Sequence, residues 1–266
     1  MSLKPVTPLR NIAPYFGGKT LMVRRLNEMI RAIPHRCYAE PFVGSGAVFF
    51  GRDARPPVEI INDLNGEVTN CLRWLREHPS EVARAFRLMP ASRAEFERQL
   101  DLDPATLTEL QRATRFLYLQ RLRFSGMPRS RSFGASKTTS KARDLAGLRR
   151  KYSALGRRLE RVMIEQMPYD QFIAHYDGPE TLFYVDPPYW GLESQYGKGL
   201  FGRSDFQGLA DQFAALKGQF ILSLNDRPEV REIFARFEIR EIPITYSTGK
   251  GARKRTHELI ISGGGR

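Results

Sequence analysis

Six short apolar runs rich in β-branched and aromatic residues punctuate the chain: CYAEPF from Cys37, VEIIND from Val58, TLFYVDPPY from Thr181, GQFILSLND from Gly218, FEIREIPITY from Phe237 and HELIISG from His257. Each is strand-sized, and helix-period segments lie between several of them, as at VTNCLRWLREH (68–78) and DFQGLADQFAALK (205–217). Strands joined through helices pair in parallel. The predicted fold is therefore α/β, with a mostly parallel, doubly wound sheet.

Between about residues 70 and 160 the strand signals stop and helical stretches take over. At 266 residues the chain is long enough for one large domain carrying an insertion. The expected division is residues 1–69 and 160–266 for a discontinuous α/β domain and 70–159 for a helical insert. Residues 91–160 carry 16 Lys and Arg against 7 Asp and Glu, about +9 of the formal +13. A basic face of that kind points to a polyanion as partner. Within it lies SGMPRSRSFGASKTTSK (125–141), rich in Ser, Gly and Arg and read as a loop.

Two cysteines, Cys37 and Cys71, make neither a disulfide framework nor a CxxC pair, which fits a reducing compartment. Four scattered histidines offer no zinc-ligand spacing, so no metal is expected. Neither a signal peptide nor an eighteen-residue apolar run is present, so a soluble, cytoplasmic protein without membrane association is expected.

Residues 13–20, APYFGGKT, approach a phosphate-binding loop, with Gly18, Lys19 and Thr20 in place and Ala13 where its first glycine belongs. A helix-period segment follows, but MSLKPVTPLRNI before it has two prolines and no apolar run to form the required strand. A P-loop nucleotide-dependent enzyme stays as an alternative at this point.

The stretch LFYVDPPYWG (182–191) is more informative. An apolar strand delivers Asp186 to the carboxyl end of a sheet, where open α/β folds bind ligands. Pro187 and Pro188 fix the backbone and remove two N–H donors, leaving a carboxylate, main-chain carbonyls and the ring of Tyr189. Acceptors beside a stacking platform suit a planar group bearing an NH₂. A second turn, YAEPFVGSGAVFF (38–50), ends a strand at Glu40, and Gly44 and Gly46 allow close backbone approach to a ligand. Phe49 occupies the third-glycine position of a dinucleotide fingerprint, which makes the motif weak for NAD. VEIIND then ends the next strand at Asp63, which can accept from both hydroxyls of a ribose or cap the helix opening at NGEVTN.

In this order the motifs resemble those of the Dam-type (D12 class, α-group) DNA adenine-N6 methyltransferases. PYFGGK resembles the lysine motif, EPFVGSG the S-adenosyl-L-methionine loop and YVDPPY the catalytic tetrapeptide, with FILSLND and RKRTHELIIS resembling later motifs. The resemblance implies a Rossmann-like methyltransferase sheet with a target-recognition insert. It also implies transfer of the cofactor's methyl to the amine of a flipped-out adenine in double-stranded DNA, leaving S-adenosyl-L-homocysteine. Asp186, Pro187, Pro188 and Tyr189 would be catalytic. Tyr15, Gly17, Gly18 and Lys19 would surround the cofactor's methionine tail, with Lys19 on its carboxylate. Glu40, Pro41, Phe42, Val43, Gly44, Ser45, Gly46, Asp63, Leu64 and Asp186 complete the implied cofactor set, and 167–170 lie near its adenine. A relative acting on RNA or protein is the remaining alternative.

For DNA, the resemblance places Phe124 in the vacated base stack, Arg129 and Arg131 in the major groove, and Arg121, Arg123, Ser125, Lys137, Lys141, Arg253 and Lys254 along the basic face. The segment GLESQYGKGLFGRSD (191–205) is expected to form a lid anchored by Tyr196 and Phe201, with Tyr196 near DNA. The enzyme would act at the nucleoid as a monomer or a homodimer.

Overall fold

The computed structural model describes residues 3–14, 19, 22–123, 132–134, 148–193, 199–247 and 253–265. All six expected strands form: β2 (Cys37–Glu40), β4 (Val58–Asn62), β6 (Thr181–Val185), β7 (Gln219–Asn225), β8 (Glu238–Ser247) and β9 (Arg253–Gly264). With β5 (Met163–Glu165) they compose a seven-stranded sheet in the order β5-β4-β2-β6-β7-β9-β8. Pairing is parallel from β5 through β7, and β9 runs antiparallel to both β7 and β8. A separate antiparallel pair joins β1 (Lys4–Pro5) to β3 (Ala54–Arg55). Neither that pair nor β5 is marked by an apolar run in the sequence.

The strand interiors are apolar on both sides because both faces are covered. Leu182 and Tyr184 of β6 join the core that includes Tyr38, Ile61, Ile221 and Ile260, whereas Phe183 and Val185 join the core of Ala39, Ile60, Phe220 and Leu259. Alternation along each strand thus separates two cores, one per face. The first face carries α1 (Val23–Ala32), α2 (Ala47–Gly51) and the helices of the middle of the chain. The second carries α8 (Tyr169–Tyr176), α9 (Arg203–Ala214) and α10 (Pro228–Ile233).

Residues 66–159 supply α3 (Gly66–Glu77), α4 (Pro79–Arg87), α5 (Arg93–Asp101), α6 (Glu109–Leu122) and α7 (Leu148–Leu159). The caps are local. Asn65 accepts from the Glu67 amide at α3, Ser92 from Glu95 at α5, and Thr108 forms a capping box with Gln111 at α6. α3 packs on α6 and α7, and α4 on the same two helices, and their buried Leu72, Leu75, Val82, Leu117 and Leu155 are continuous with the core on the first face of the sheet. Among the described residues, no helix is long and apolar enough to cross a membrane.

Candidate active site

Strand β2 leads outward to β4 and β5, and the chain returns to β6 on the other side of β2. The sheet order therefore reverses between β2 and β6, and at such a point the loops diverge and leave a crevice beyond the strand ends. Glu40 ends β2 and Asp186 follows β6, so both carboxylates open into it.

The loop after β2 is shaped by its hydrogen bonds. Val43 N donates to Asn62 O (2.9 Å) and Gly46 N to Val43 O (2.7 Å). Asn62 Nδ2 donates to Pro41 O (2.9 Å) and Met167 O (3.0 Å), tying this loop to the one leading into α8. Gly46 opens α2 with φ of 70°, and a Cβ there would lie 2.6 Å from the Phe50 ring. Asp63 does not cap α3. Asn65 has that role, while Asp63 accepts from Gly44 N and Asn65 N, each at 2.9 Å. Of the two roles open to Asp63, the cap is thus excluded, and its carboxylate braces the glycine loop against the start of α3.

One cavity is lined by Lys19, Glu40, Phe42, Val43, Gly44, Ser45, Asp63, Leu64, Asp186 and Pro188, together with Ala47, Val48, Asn65, Tyr184, Leu200 and Phe201. Most described members of the cofactor set fall in this single space. Pro41 and Gly46 act behind its wall. Tyr15, Gly17 and Gly18 lie outside the described residues.

Burial pushes the Glu40 carboxyl up to about 8, although Tyr38 donates to it at 2.5 Å. It likewise pushes Asp63 up to about 6 against the pull of its two amide donors. Asp186 is raised by burial, with Lys19 opposing and the Glu258 charge reinforcing the rise.

Lys19, 3% exposed, reaches Asp186 Oδ1 and the Tyr189 hydroxyl, each at 2.6 Å, and stands 3.8 Å from Glu258 Oε2. The resemblance assigns Lys19 a cofactor carboxylate; in the structure its ammonium rests on the carboxylate of Asp186. Ser223 Oγ also donates to Asp186 Oδ1 at 3.1 Å, and Tyr184 OH lies 2.9 Å from Ser223. Tyr189 donates to Glu258 Oε1 at 2.5 Å, so its ring is tethered by the hydroxyl. Trp190 N and O are held by the Asn225 amide, both at 3.0 Å, which fixes the turn after the two prolines.

An aromatic cluster flanks the cavity. Phe42 lies 5.4 Å from Tyr169 and 5.6 Å from Phe201, centroid to centroid, and Phe201 packs edge-on to Phe206 at 4.9 Å. Tyr169 belongs to the 167–170 segment, where the sequence singled out no residue. Phe201, expected as a lid anchor, is buried here, while Tyr196 lies outside the described residues.

The DNA set is less gathered. Arg121 closes α6, and Arg123 forms an isolated bridge with Phe133. Nearby, burial and the charges of Arg121 and Arg10 push Lys151 down to about 8. Arg253 and Lys254 begin β9. Phe124, Ser125, Arg129, Arg131, Lys137 and Lys141 lie outside the described residues. Asp226, Glu241 and His257 do bring ligand atoms within 4.8 Å of one another, but Arg231 bonds both carboxylates at 2.6–2.9 Å.

The family model of D12 class N6 adenine-specific DNA methyltransferase matches residues 15–248. The chain is 26% identical to Type II methyltransferase M1.LlaDCHI of Lactococcus lactis subsp. cremoris, over 96% of this chain and 95% of that one. It is also 26% identical to the DNA adenine methylase of Haemophilus influenzae, over 100% and 97%. Among solved structures, precorrin 8w decarboxylase of Methanobacterium thermoautotrophicum aligns with a TM-score of 0.39 at 10% identity, over 99% of this chain and 100% of that one.

Proposed function

The chain belongs to the D12 class of N6 adenine-specific DNA methyltransferases, and on that premise we propose that the β2/β6 cavity holds S-adenosyl-L-methionine and that the DPPY turn holds the adenine amine. The observation that carries the proposal is the convergence of Glu40, the glycine loop, Asp63 and Asp186 on one cavity at the point where the strand order reverses. The donor set suits the cofactor. Asp63 offers a partly buried carboxylate for ribose hydroxyls, Gly44 lines the cavity with bare backbone, and Phe42 and Tyr169 offer apolar faces for a planar base.

When bound, the cofactor supplies an electrophilic methyl on a sulfonium and leaves as S-adenosyl-L-homocysteine. The residues address the other partner. The lone pair of the adenine amine is delocalised into its ring, which makes it a weak nucleophile. Asp186 and the Pro187 carbonyl accept its two hydrogens and hold the nitrogen near tetrahedral geometry, with its lone pair toward the methyl. As the nitrogen gains carbon it becomes cationic, and Asp186 takes the proton it sheds. Orientation and well-placed acceptors are worth about 10² to 10³ each. The scheme asks for no metal and no covalent enzyme intermediate.

A paired base cannot reach this turn, so the adenine is flipped out of duplex DNA at a cost of a few kcal/mol. Tyr189 stacks on it, and Phe124 fills the gap. Action is placed at the nucleoid, in the cytoplasm.

Incubating the protein with methyl-tritiated cofactor and varied duplexes tests this directly: labelled N6-methyladenine is expected, and label on a ring nitrogen or on cytosine overturns it. Alanine at Arg129 or Arg131 should relax sequence preference, since Arg reads guanine edges. Alanine at Lys137 should instead lower the salt slope by about one phosphate contact; identical effects on every sequence contradict that division.

Asp63 predicts a pH dependence. Ribose hydroxyls bind its ionised form, and its carboxyl titrates at about 6. Affinity for S-adenosyl-L-homocysteine should therefore be full above that pH and fall as pH drops through it. Calorimetry on Asp63→Asn should show weaker binding with the acid-side fall gone, and an unchanged slope would remove Asp63 from the site.

A further inference from the structure

Asp186 Oδ1 already accepts from Lys19 and Ser223. The adenine amine needs the same carboxylate, so it competes there with the Lys19 ammonium, and both oxygens of Asp186 are open to the amine only when Lys19 moves off. With the lysine side chain 2% exposed, retreat into water is closed to it. Among the described residues, the second carboxylate within 4 Å is Glu258, whose Oε2 stands 3.8 Å from Nζ. We propose that Glu258 is a positioning residue that takes over Lys19 as its counter-ion and so frees Asp186 for the amine, a step that rests on Asp186 being the acceptor proposed above.

Three features support the handover. Glu258 is 2% exposed, and on β9 it pairs with Asn225 of β7 on one side and Ile242 of β8 on the other, which holds the carboxylate in place. The Tyr189 hydroxyl accepts from Lys19 at 2.6 Å and donates to Glu258 Oε1 at 2.5 Å, so it links the two positions of the ammonium. With Glu258 3.8 Å away, the ammonium exchanges one buried counter-ion for another and is not left as an uncompensated buried charge.

Among the described residues, the charged and titratable groups around Asp186 are Lys19, Glu40, Tyr184, Tyr189 and Glu258. Of these, Glu258 contributes a negative charge that raises the Asp186 carboxyl. Removing that charge lowers it, so the acid limb of the rate should move to lower pH.

The test is single-turnover methyl transfer against pH for wild type, Glu258→Gln and Glu258→Asp, with S-adenosyl-L-homocysteine and duplex affinities measured in parallel. In Glu258→Gln we expect affinities within about threefold, a rate lower by about 10², and an acid limb displaced downward. Glu258→Asp keeps the charge but draws it back by one methylene, so it should show both changes at smaller size. If the glutamine variant does not fold, the aspartate variant decides alone. Wild-type rate and limb in the folded variants overturn the proposal. So does a slower rate with an unmoved limb, which removes the Glu258 charge from Asp186, or a slower rate matched by an equal loss of S-adenosyl-L-homocysteine or duplex affinity, which is what a merely structural Glu258 gives. A wild type that methylates no duplex would instead sink the adenine reading itself.

Discussion

Asp186→Ala is expected to abolish methyl transfer, by at least about 10³ in turnover, while S-adenosyl-L-homocysteine still binds within a few-fold of wild type. The substitution removes the acceptor that orients the amine and takes its proton. No other described carboxylate takes that place, because Glu258 is turned to Tyr189 and Lys19 and Glu40 is bonded to Tyr38. The cofactor's proposed contacts at Asp63 and the glycine loop remain. Fold integrity should survive, since burial disfavours the charged form of Asp186 and Lys19 keeps Glu258 as counter-ion. An unchanged melting temperature beside lost turnover separates chemistry from unfolding. Asp186→Asn is no equivalent replacement, because the carboxamide NH₂ would face the amine's own donors. Near-normal incorporation of tritiated methyl by Asp186→Ala would remove this residue from the mechanism.

How much of this was legible before any coordinates depended on how each feature is encoded. Six of the seven strands were readable, four of the inner ones from runs such as LFYV and FILSL and the edge strand β8 from its alternation of β-branched and polar residues. β5 was not, because it has three residues, exposes Met163 and ends in Glu165, so neither an apolar run nor alternation marks it. Residues close together in the chain carried the site: Glu40 with its glycine turn, Asp63, and Asp186 with its prolines. What escaped comes from elsewhere. Ser223 reaches Asp186 from β7, Glu258 reaches Lys19 from β9, and Tyr169 reaches Phe42 from α8. Their proximity is fixed by strand order and register, which a linear motif does not contain. A signal existed nonetheless: Ser223 and Glu258 are polar residues within or beside the apolar runs FILSL and LII, and a buried polar group needs a partner.

The same principle applied to Glu59 gives the largest expected effect on stability. It is the one charged residue of β4, and its side chain is 3% exposed. Arg158 of α7 donates to both of its oxygens, at 2.7 and 2.6 Å, and Arg52 donates to Oε1 from the segment after α2. Both guanidinium groups lie over aromatic rings, Arg52 on Tyr38 at 3.6 Å and Arg158 on Phe49 at 4.2 Å. One carboxylate therefore holds two buried cations, and it joins the last helix of the middle group to the sheet. Glu59→Ala leaves both cations without a counter-ion, a loss of about 3–5 kcal/mol. For a chain of this size that lowers the melting temperature by about 10 °C. The loss comes from stranded charge rather than from missing attraction, so replacing all three residues together by Met should restore most of it. Arg52→Met with Arg158→Met alone would strand the carboxylate and should cost a similar amount. Melting curves on these three variants decide the matter, because equal losses in the single and triple variants would show that packing volume, not buried charge, governs this junction.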